Sequence, residues 1–235
     1  MDAVTDALAV HLKGRFTVLE LGSGPGPLAS RILRRFRGCH VVAVDTDPVL
    51  LRVGRGALAR YGPRIDWALA DLRSRRWSAQ LPVPPWDGVV SSLALHWLER
   101  NEIQGLYRDL FRLIRPGGVF VNGDFLPSRG PGTGTTGTNR PKMDRSRRVD
   151  AASRLPAFRS EWEAWWGTVS LEAGFQPALR QRRLRLPGDL PPKRTTGPKI
   201  PASLEFHRRA LREAGFRESK VVWQEGGFRT LVSLR

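Results

Sequence analysis

Between Thr17 and Phe125 short apolar runs alternate with longer amphipathic stretches, and no other feature of this chain restricts its fold as strongly. The runs VLEL, VVAVD, IDWALAD, DGVVSS and GVFVNGDF have the length and β-branched content of buried strands. Between the first two, Leu28, Ile32, Leu33 and Phe36 recur at helical spacing, and before the last Ile103, Leu106, Leu110, Leu113 and Ile114 do the same. Strands that alternate with helices form parallel sheets covered by those helices, because a parallel pair needs a long crossover. Pro116, Gly117 and Gly118 are expected to stop the second helix and turn the chain into the next strand.

Beyond Phe125 the pattern changes. The stretch PSRGPGTGTTGTNRPKM, Pro127 to Met143, has no periodic apolar face and reads as a mobile loop. Trp162, Trp165, Trp166 and Val169 then form one helical stripe expected to end at Gly174, with core packing its first reading and a substrate wall its second. The basic run RQRRLRL and a Pro/Lys/Arg-rich connection, Pro187 to Pro201, follow. Leu204 to Ala214 reads as a helix, and Lys220 to Gln224 with Phe228 to Leu234 as a hairpin around Glu225, Gly226 and Gly227. The expected fold class is therefore α/β: a Rossmann-like, seven-stranded, mostly parallel sheet with an antiparallel final strand and a helical insertion as a lid. The expected division is a core over 1–126, a flexible loop with a basic, Trp-rich lid over 127–203, and a helix and hairpin over 204–235 that complete the core.

Composition removes several classes. No apolar run approaches the ~20 residues of a membrane span, so no membrane partner is expected. Asp2 and Asp6 at the start do not suit a secretory leader, and the expected location is the cytoplasm. Cys39 is the single cysteine and His11, His40, His96 and His207 are scattered, so neither an intrachain disulfide nor a metal site is expected. The charge is unusual: 39 Lys+Arg against 22 Asp+Glu give +17. An excess of this size, mostly arginine and dense between Arg145 and Lys199, suggests an anionic partner or substrate, with solvated arginine over apolar surface as the alternative.

The sharpest chemical signal is Glu20-Leu-Gly22-Ser23-Gly24-Pro-Gly26, placed where a strand ends and a helix begins. Glycines there allow a tight turn and let a ligand reach the main chain. Asp45 closes the next strand, where a carboxylate can accept hydrogen bonds from both ribose hydroxyls. Together these point to an adenosine-containing cofactor. They leave a dinucleotide open, because Gly24-Pro-Gly26-Pro-Leu-Ala29 also fits the dinucleotide fingerprint. Glu20 argues for a cationic ligand instead, since a fixed acid at that place opposes a pyrophosphate.

Here the chain resembles the class I S-adenosylmethionine-dependent methyltransferases of the small-molecule type. Their first motif, acid-x-Gly-x-Gly-x-Gly, is met by Glu20, Gly22, Gly24 and Gly26, and the later segments Ala70-Asp71-Leu72, PWDGVVSSLALHWL and LFRLIRPGGVFVNGDF are similar to their third-, fourth- and fifth-strand motifs. The resemblance implies S-adenosylmethionine as cofactor, with Asp45 and Thr46 at the ribose, Asp71 and Leu72 at the adenine, and Glu20, Gly22, Ser23, Gly24, Gly26 and Ser91 around the rest. It places His96 near the methyl group as a candidate general base and His96, Trp97, Trp162 and Trp166 as candidate substrate contacts. Two departures stand out. Only sixteen residues precede Thr17, short for the helical cap of such enzymes, and Ser91-Ser92-Leu93-Ala94 replaces the Asn/Asp-Pro-Pro-aromatic signature of many nucleic-acid amine methyltransferases. The expected function is methyl transfer to a small or carrier-bound metabolite, acidic if the arginines serve it; an RNA methyltransferase and a catalytically silent binding module of the same fold are the alternatives.

Overall fold

The computed structural model describes residues 1–82, 85–128, 160–186 and 201–235. Among them, seven strands form one sheet in the order β3-β2-β1-β4-β5-β7-β6. β1 (Phe16–Leu21), β2 (Cys39–Asp45), β3 (Ile65–Leu69), β4 (Trp86–Ser92) and β5 (Ile114–Phe125) are parallel. β7 (Phe228–Leu234) runs antiparallel to both β5 and β6 (Arg217–Glu225), with Gly226 at φ +58° in the hairpin between them.

The strand faces follow from alternation. Leu19, Leu21, Val42, Val44 and Phe120 point to the side covered by α4 (Arg100–Leu113) and α7 (Leu204–Ala214). Val18, Val41, Ala43, Val119 and Val121 point to the side covered by α1 (Asp2–His11) and α2 (Pro27–Arg35). The helical spacing read in the sequence gives α2 its buried face of Leu28, Ala29, Ile32 and Leu33, the two leucines and the isoleucine each contributing about 1.5–3 kcal/mol by burial. α3 (Pro48–Ala57) follows β2, capped by Asp47, whose carboxylate accepts the Val49 amide at 2.9 Å.

Two expectations need correction. α4 ends at Leu113, and Ile114 is already extended, before the Pro-Gly-Gly turn. A residue preceding proline is disfavoured in the helical region, so Arg115 belongs to β5, and Pro116 to Gly118 form an irregularity within the strand where the register to β4 shifts. Within the sixteen residues before Thr17, α1 packs Val4 and Leu8 onto the sheet. The Trp-bearing helix does not continue to Gly174: residues 160–171 are helical (α5), and the basic run forms a separate helix, α6 (Gln176–Arg185).

The chain divides into two compact units, residues 1–130 with 197–235, and residues 131–196. Within the second, Trp162 stacks on Trp165 with centroids 5.3 Å apart, and the Arg182 guanidinium lies 5.2 Å over the Trp166 ring, joining α6 to α5. The Pro127–Met143 segment from residue 129 onward, and the 187–200 connection, lie outside the described residues. No helix among the described residues is long and apolar enough to cross a membrane, and no group of three His, Cys, Asp or Glu among them is placed to hold a metal ion.

Candidate functional site

In the parallel sheet, chain order runs outward in both directions from the β1–β4 pair. Crossovers from the two strands leave on opposite faces there, opening a crevice at their carboxyl ends. The glycine segment Gly22 to Gly26 fills the β1 end, with φ of +65°, +54° and +82° at Gly22, Gly24 and Gly26. The three glycines serve different needs. A Cβ at Gly22 would overlap the Cβ of Ala94, so this glycine lets the loop after β4 close on the loop after β1. A Cβ at Gly24 would meet nothing within 4 Å: it faces the open side, where a ligand can approach the main chain. Gly26 is the left-handed N-cap of α2.

Asp45 at the end of β2 holds this loop. Its Oδ2 accepts the Gly24 amide at 2.7 Å and its Oδ1 the Asp47 amide at 2.9 Å. Burial raises its pKa to about 6 against the pull of the Asp47, Gly24 and Thr46 amides, and the neighbouring Asp47 charge adds to the rise. Helix capping is done by Asp47, so Asp45 keeps its second lone pairs for a ligand hydroxyl.

Glu20 lies beneath the loop, 2% exposed, with Oε2 sealed from solvent and without a hydrogen-bond partner. Burial pushes its pKa up to about 8, opposed by a hydrogen bond from the Ala29 amide at the start of α2 and reinforced by the charge of Asp45. A buried carboxyl lacking a cation is costly. A cationic group at the crevice would relieve that cost, so the donor set fits the positively charged cofactor implied by the motif.

The remaining residues expected at the cofactor divide. Ser23 is buried with its amide donated to the Val44 carbonyl at 2.9 Å, and Ser91 gives its hydroxyl to the Leu21 carbonyl at 3.1 Å, tying β4 to β1 below the glycines. Thr46 follows Asp45 as its amide partner, and Leu72 packs at the edge of the core. Asp71 is engaged by Arg73, with Nε to Oδ1 at 2.9 Å and a terminal nitrogen to Oδ2 at 2.8 Å, so an adenine amino group would have to share that fork.

At the end of β4, Leu93 has φ +55° and donates its amide to the Gly123 carbonyl at 2.9 Å, a strained turn that leads into the short helix Leu95–Trp97. His96 Nδ1 lies 2.7 Å from Asp124 Oδ1, while Asp124 Oδ2 accepts the His96 amide at 3.1 Å and Oδ1 the Phe125 amide at 2.7 Å. The Asp124 side chain is 1% exposed and the His96 side chain 25%. Trp97 rests against His96 with ring centroids 4.9 Å apart. Asp124 was not singled out in the sequence, although an acid closing the fifth apolar run was visible there. Trp162 and Trp166 belong to the second unit, where Trp166 is buried.

Comparison with known proteins agrees with this geometry. Residues 18–118 match the methyltransferase domain family. Trans-aconitate 2-methyltransferase of Azoarcus sp. (strain BH72) is 36% identical over 120 residues, 51% of this chain and 43% of that protein. An uncharacterised methyltransferase of Mycobacterium bovis is 38% identical over 120 residues, 51% of this chain and 55% of the relative. The matches thus span about half the length of these relatives. Among solved structures, an O-methyltransferase family protein from Burkholderia thailandensis superposes with TM-score 0.61 at 16% identity, over 100% of this chain and 54% of the other. Human N-acetylserotonin methyltransferase, solved with S-adenosylmethionine, gives 0.58 at 15%, over 100% and 51%. The domain match, the strand order and the ordered motifs thus agree: residues 18–118 match the methyltransferase domain family, and the sheet has the fold of the methyltransferases on which it superposes.

Proposed function

We propose that this chain transfers a methyl group from S-adenosylmethionine to an oxygen or nitrogen atom of a small or carrier-bound molecule, with His96 as the base. The observation that carries the reading is the Glu20 carboxyl, buried without a partner at Oε2 below the glycine loop that Asp45 holds in place. When bound, S-adenosylmethionine supplies a methyl group already activated on a sulfonium. What remains for the chain is alignment, exclusion of water and removal of one proton. Asp124 accepts two main-chain amides, which fixes it as an acceptor, so the protonated nitrogen of His96 is Nδ1. The lone pair then lies on Nε2. An acceptor O–H or N–H that donates to Nε2 gives up its proton there while its oxygen or nitrogen attacks.

The test is transfer of labelled methyl to pooled small-molecule extracts, with S-adenosylhomocysteine binding measured alongside. His96→Asn should lower turnover about 100-fold or more while leaving S-adenosylhomocysteine binding intact. Saturable binding without transfer to any pool would leave a binding module of this fold; absence of both would sink the reading.

An RNA acceptor is a second reading, favoured by α6, on which Arg180, Arg183 and Arg185 are exposed. Arg182 does not join them, since it is buried against Trp166. Charge reversal at Arg180 and Arg183 decides: a steep loss of acceptor affinity with salt in the parent, flattened by the reversals, favours RNA, because many phosphate contacts release many counterions.

A further inference from the structure

Residues 27–44 and 48–65 carry α2, β2, α3 and the short helical segment Ala59–Arg64, and they hold eight arginines without an Asp or Glu. Asp45 and Asp47, between the two stretches, belong to the crevice at the carboxyl end of β2. Of the acids on neighbouring elements, Asp2 and Asp6 of α1 pair with Arg31 and Arg35. Asp66 pairs with His40 at 3.1 Å on the opposite face of the sheet, since it alternates with the buried Ile65. Arg34, Arg37 and Arg60 are exposed, and no carboxylate forms an ion pair with them among the described residues.

Arg64 fastens the Ala59–Arg64 segment to the end of α2. Its guanidinium donates to the carbonyls of Leu33 and Phe36 at 2.9 and 2.6 Å and to that of Cys39 at 3.3 Å. This strut brings Arg60 and Tyr61 beside the chain that carries Arg34 and Arg37. The Arg60 guanidinium lies 5.0 Å over the Tyr61 ring and donates to its hydroxyl at 3.4 Å, while that of Arg64 lies 5.8 Å over the same ring. The Tyr61 hydroxyl is drawn below its usual pKa, first by the hydrogen bond from Arg60, against desolvation, and then by Ser30 and the charges of Arg60 and Arg34. Guanidiniums from two separate elements thus converge on one hydroxyl.

Like charges gathered in this way repel, and a bound anion turns the repulsion into attraction. The negative end of the α2 dipole gives a reason for Arg34 in the last turn, but none for Arg60, which comes from another element. The kind of anion follows from what else the face carries. A lipid surface or a protein partner is gripped by apolar anchors, and no large apolar side chain of residues 27–65 is exposed. A nucleic-acid backbone needs none, since its contacts are phosphate oxygens, which suit a guanidinium fork.

We propose that the face formed by the end of α2 and the Ala59–Arg64 segment binds the phosphate backbone of a nucleic acid through Arg34, Arg37 and Arg60. The face lies at the amino ends of β2 and β3, whereas the crevice lies at the carboxyl ends, so it anchors the chain without occupying the cofactor site and does not rest on the methyltransferase reading. The experiment measures fluorescence anisotropy of a labelled single-stranded RNA and of a DNA duplex of equal length with the full chain, between about 50 and 200 mM salt. On the RNA the slope of log affinity against log salt should be about −2 or steeper, from ~0.7 for each phosphate met by the three guanidiniums. Arg34→Glu, Arg37→Glu and Arg60→Glu together should weaken binding about tenfold or more and flatten the slope by about 2. Arg108→Glu, Arg208→Glu and Arg212→Glu, exposed positions on α4 and α7 that change the net charge equally, should alter both far less. Arg37→Gln and Arg60→Gln, made singly, should each take about 0.7 off the slope, a readout that survives if the triple variant does not fold. S-adenosylhomocysteine affinity should be the same in parent and variants. Tighter binding of the RNA or of the duplex names the source of the backbone, and either supports the face when the variants act as stated. Equal losses in the two triple variants would overturn it in favour of diffuse net charge. A loss produced by reversals at Arg180 and Arg183 and not by those at Arg34, Arg37 and Arg60 would overturn it in favour of α6. Phosphatidylserine vesicles bound more tightly than either nucleic acid, and released by the first triple variant, would overturn it in favour of a lipid surface.

Discussion

Glu20→Gln should move two properties of the ligand-free protein and of its complex in opposite directions. In the folded chain the Glu20 pKa stands at about 8 against 4.5 unperturbed, so between these values the folded state holds a proton that the unfolded state has released. Stability therefore falls as pH rises through that window and is level above it. The penalty at pH 9 approaches about 5 kcal/mol, from 1.36 kcal/mol per pH unit. Glutamine, equal in size and never charged, removes it, so the variant should melt several degrees higher than the parent at pH 9 and much the same at pH 4.5. Its affinity for S-adenosylhomocysteine should drop about 10- to 100-fold at pH 9, the worth of a charge-assisted hydrogen bond. In the parent that affinity should rise with pH up to about 8, as the ligand ammonium replaces the proton. Thermal melts and calorimetry from pH 4.5 to 9 make the measurement. A variant that melts lower than the parent at pH 9, or binds as tightly, would refute the reasoning, because Glu20 would then be an ordinary structural acid.

Three further outcomes follow from the structure. Gly22→Ala places a Cβ against Ala94 at a φ of +65° and should cost about 1–3 kcal/mol in melts, with weakened S-adenosylhomocysteine binding because the loop carrying His96 is displaced. His207, buried with Nδ1 2.5 Å from the Tyr107 hydroxyl, has its pKa lowered to about 4 by burial despite the charge of Asp124, so stability should decline as pH falls from about 6.5 to 4; a His207→Gln chain that keeps the same acid slope would disprove this source. Arg64→Lys should lower stability by about 1–2 kcal/mol in denaturant titrations, since one ammonium cannot reach the three carbonyls that the guanidinium serves, and an unchanged midpoint would contradict it.

The sheet was legible because its strands are buried on both faces and read as apolar runs, and because the glycine segment and Asp45 are local in sequence. Asp45 and Glu20 could be singled out from the ends of two such runs. What could not be read was pairing across distance. The partner of His96 lies 28 positions away at Asp124, and nothing in the residues around either one selects the other before β4 and β5 are set side by side. The same limit hid the fork between Asp71 and Arg73 for a different reason: adjacency made the pair possible, but the turn that brings Arg73 back onto the carboxylate is a matter of geometry.

The arginine excess is where sequence reasoning most needs the structure. A positive charge without a neighbouring acid suggests an anionic partner, yet several guanidiniums here are satisfied by neutral groups. Arg64, at the start of β3, donates to the carbonyls of Leu33 and Phe36 at 2.9 and 2.6 Å, where α2 ends, and to that of Cys39 at 3.3 Å. Arg235 does the same for Arg112 and Ile114 at the end of α4 and lies 4.9 Å over the Phe111 ring. Helix ends leave carbonyls unpaired and carry partial negative charge, so a cation with five donors in a planar fork suits them better than the compact ammonium of lysine. Arg100 over Phe206 and Arg182 over Trp166 use the flat face of the same group. Arginine in this chain therefore replaces caps and packs on rings, work that needs no acid and raises the net charge as a by-product. Among the described residues, Arg180, Arg183 and Arg185 of α6 are exposed, and so are Arg37, Arg52, Arg75 and Arg108 outside it, so the salt dependence of acceptor affinity is what decides whether such arginines meet an anion.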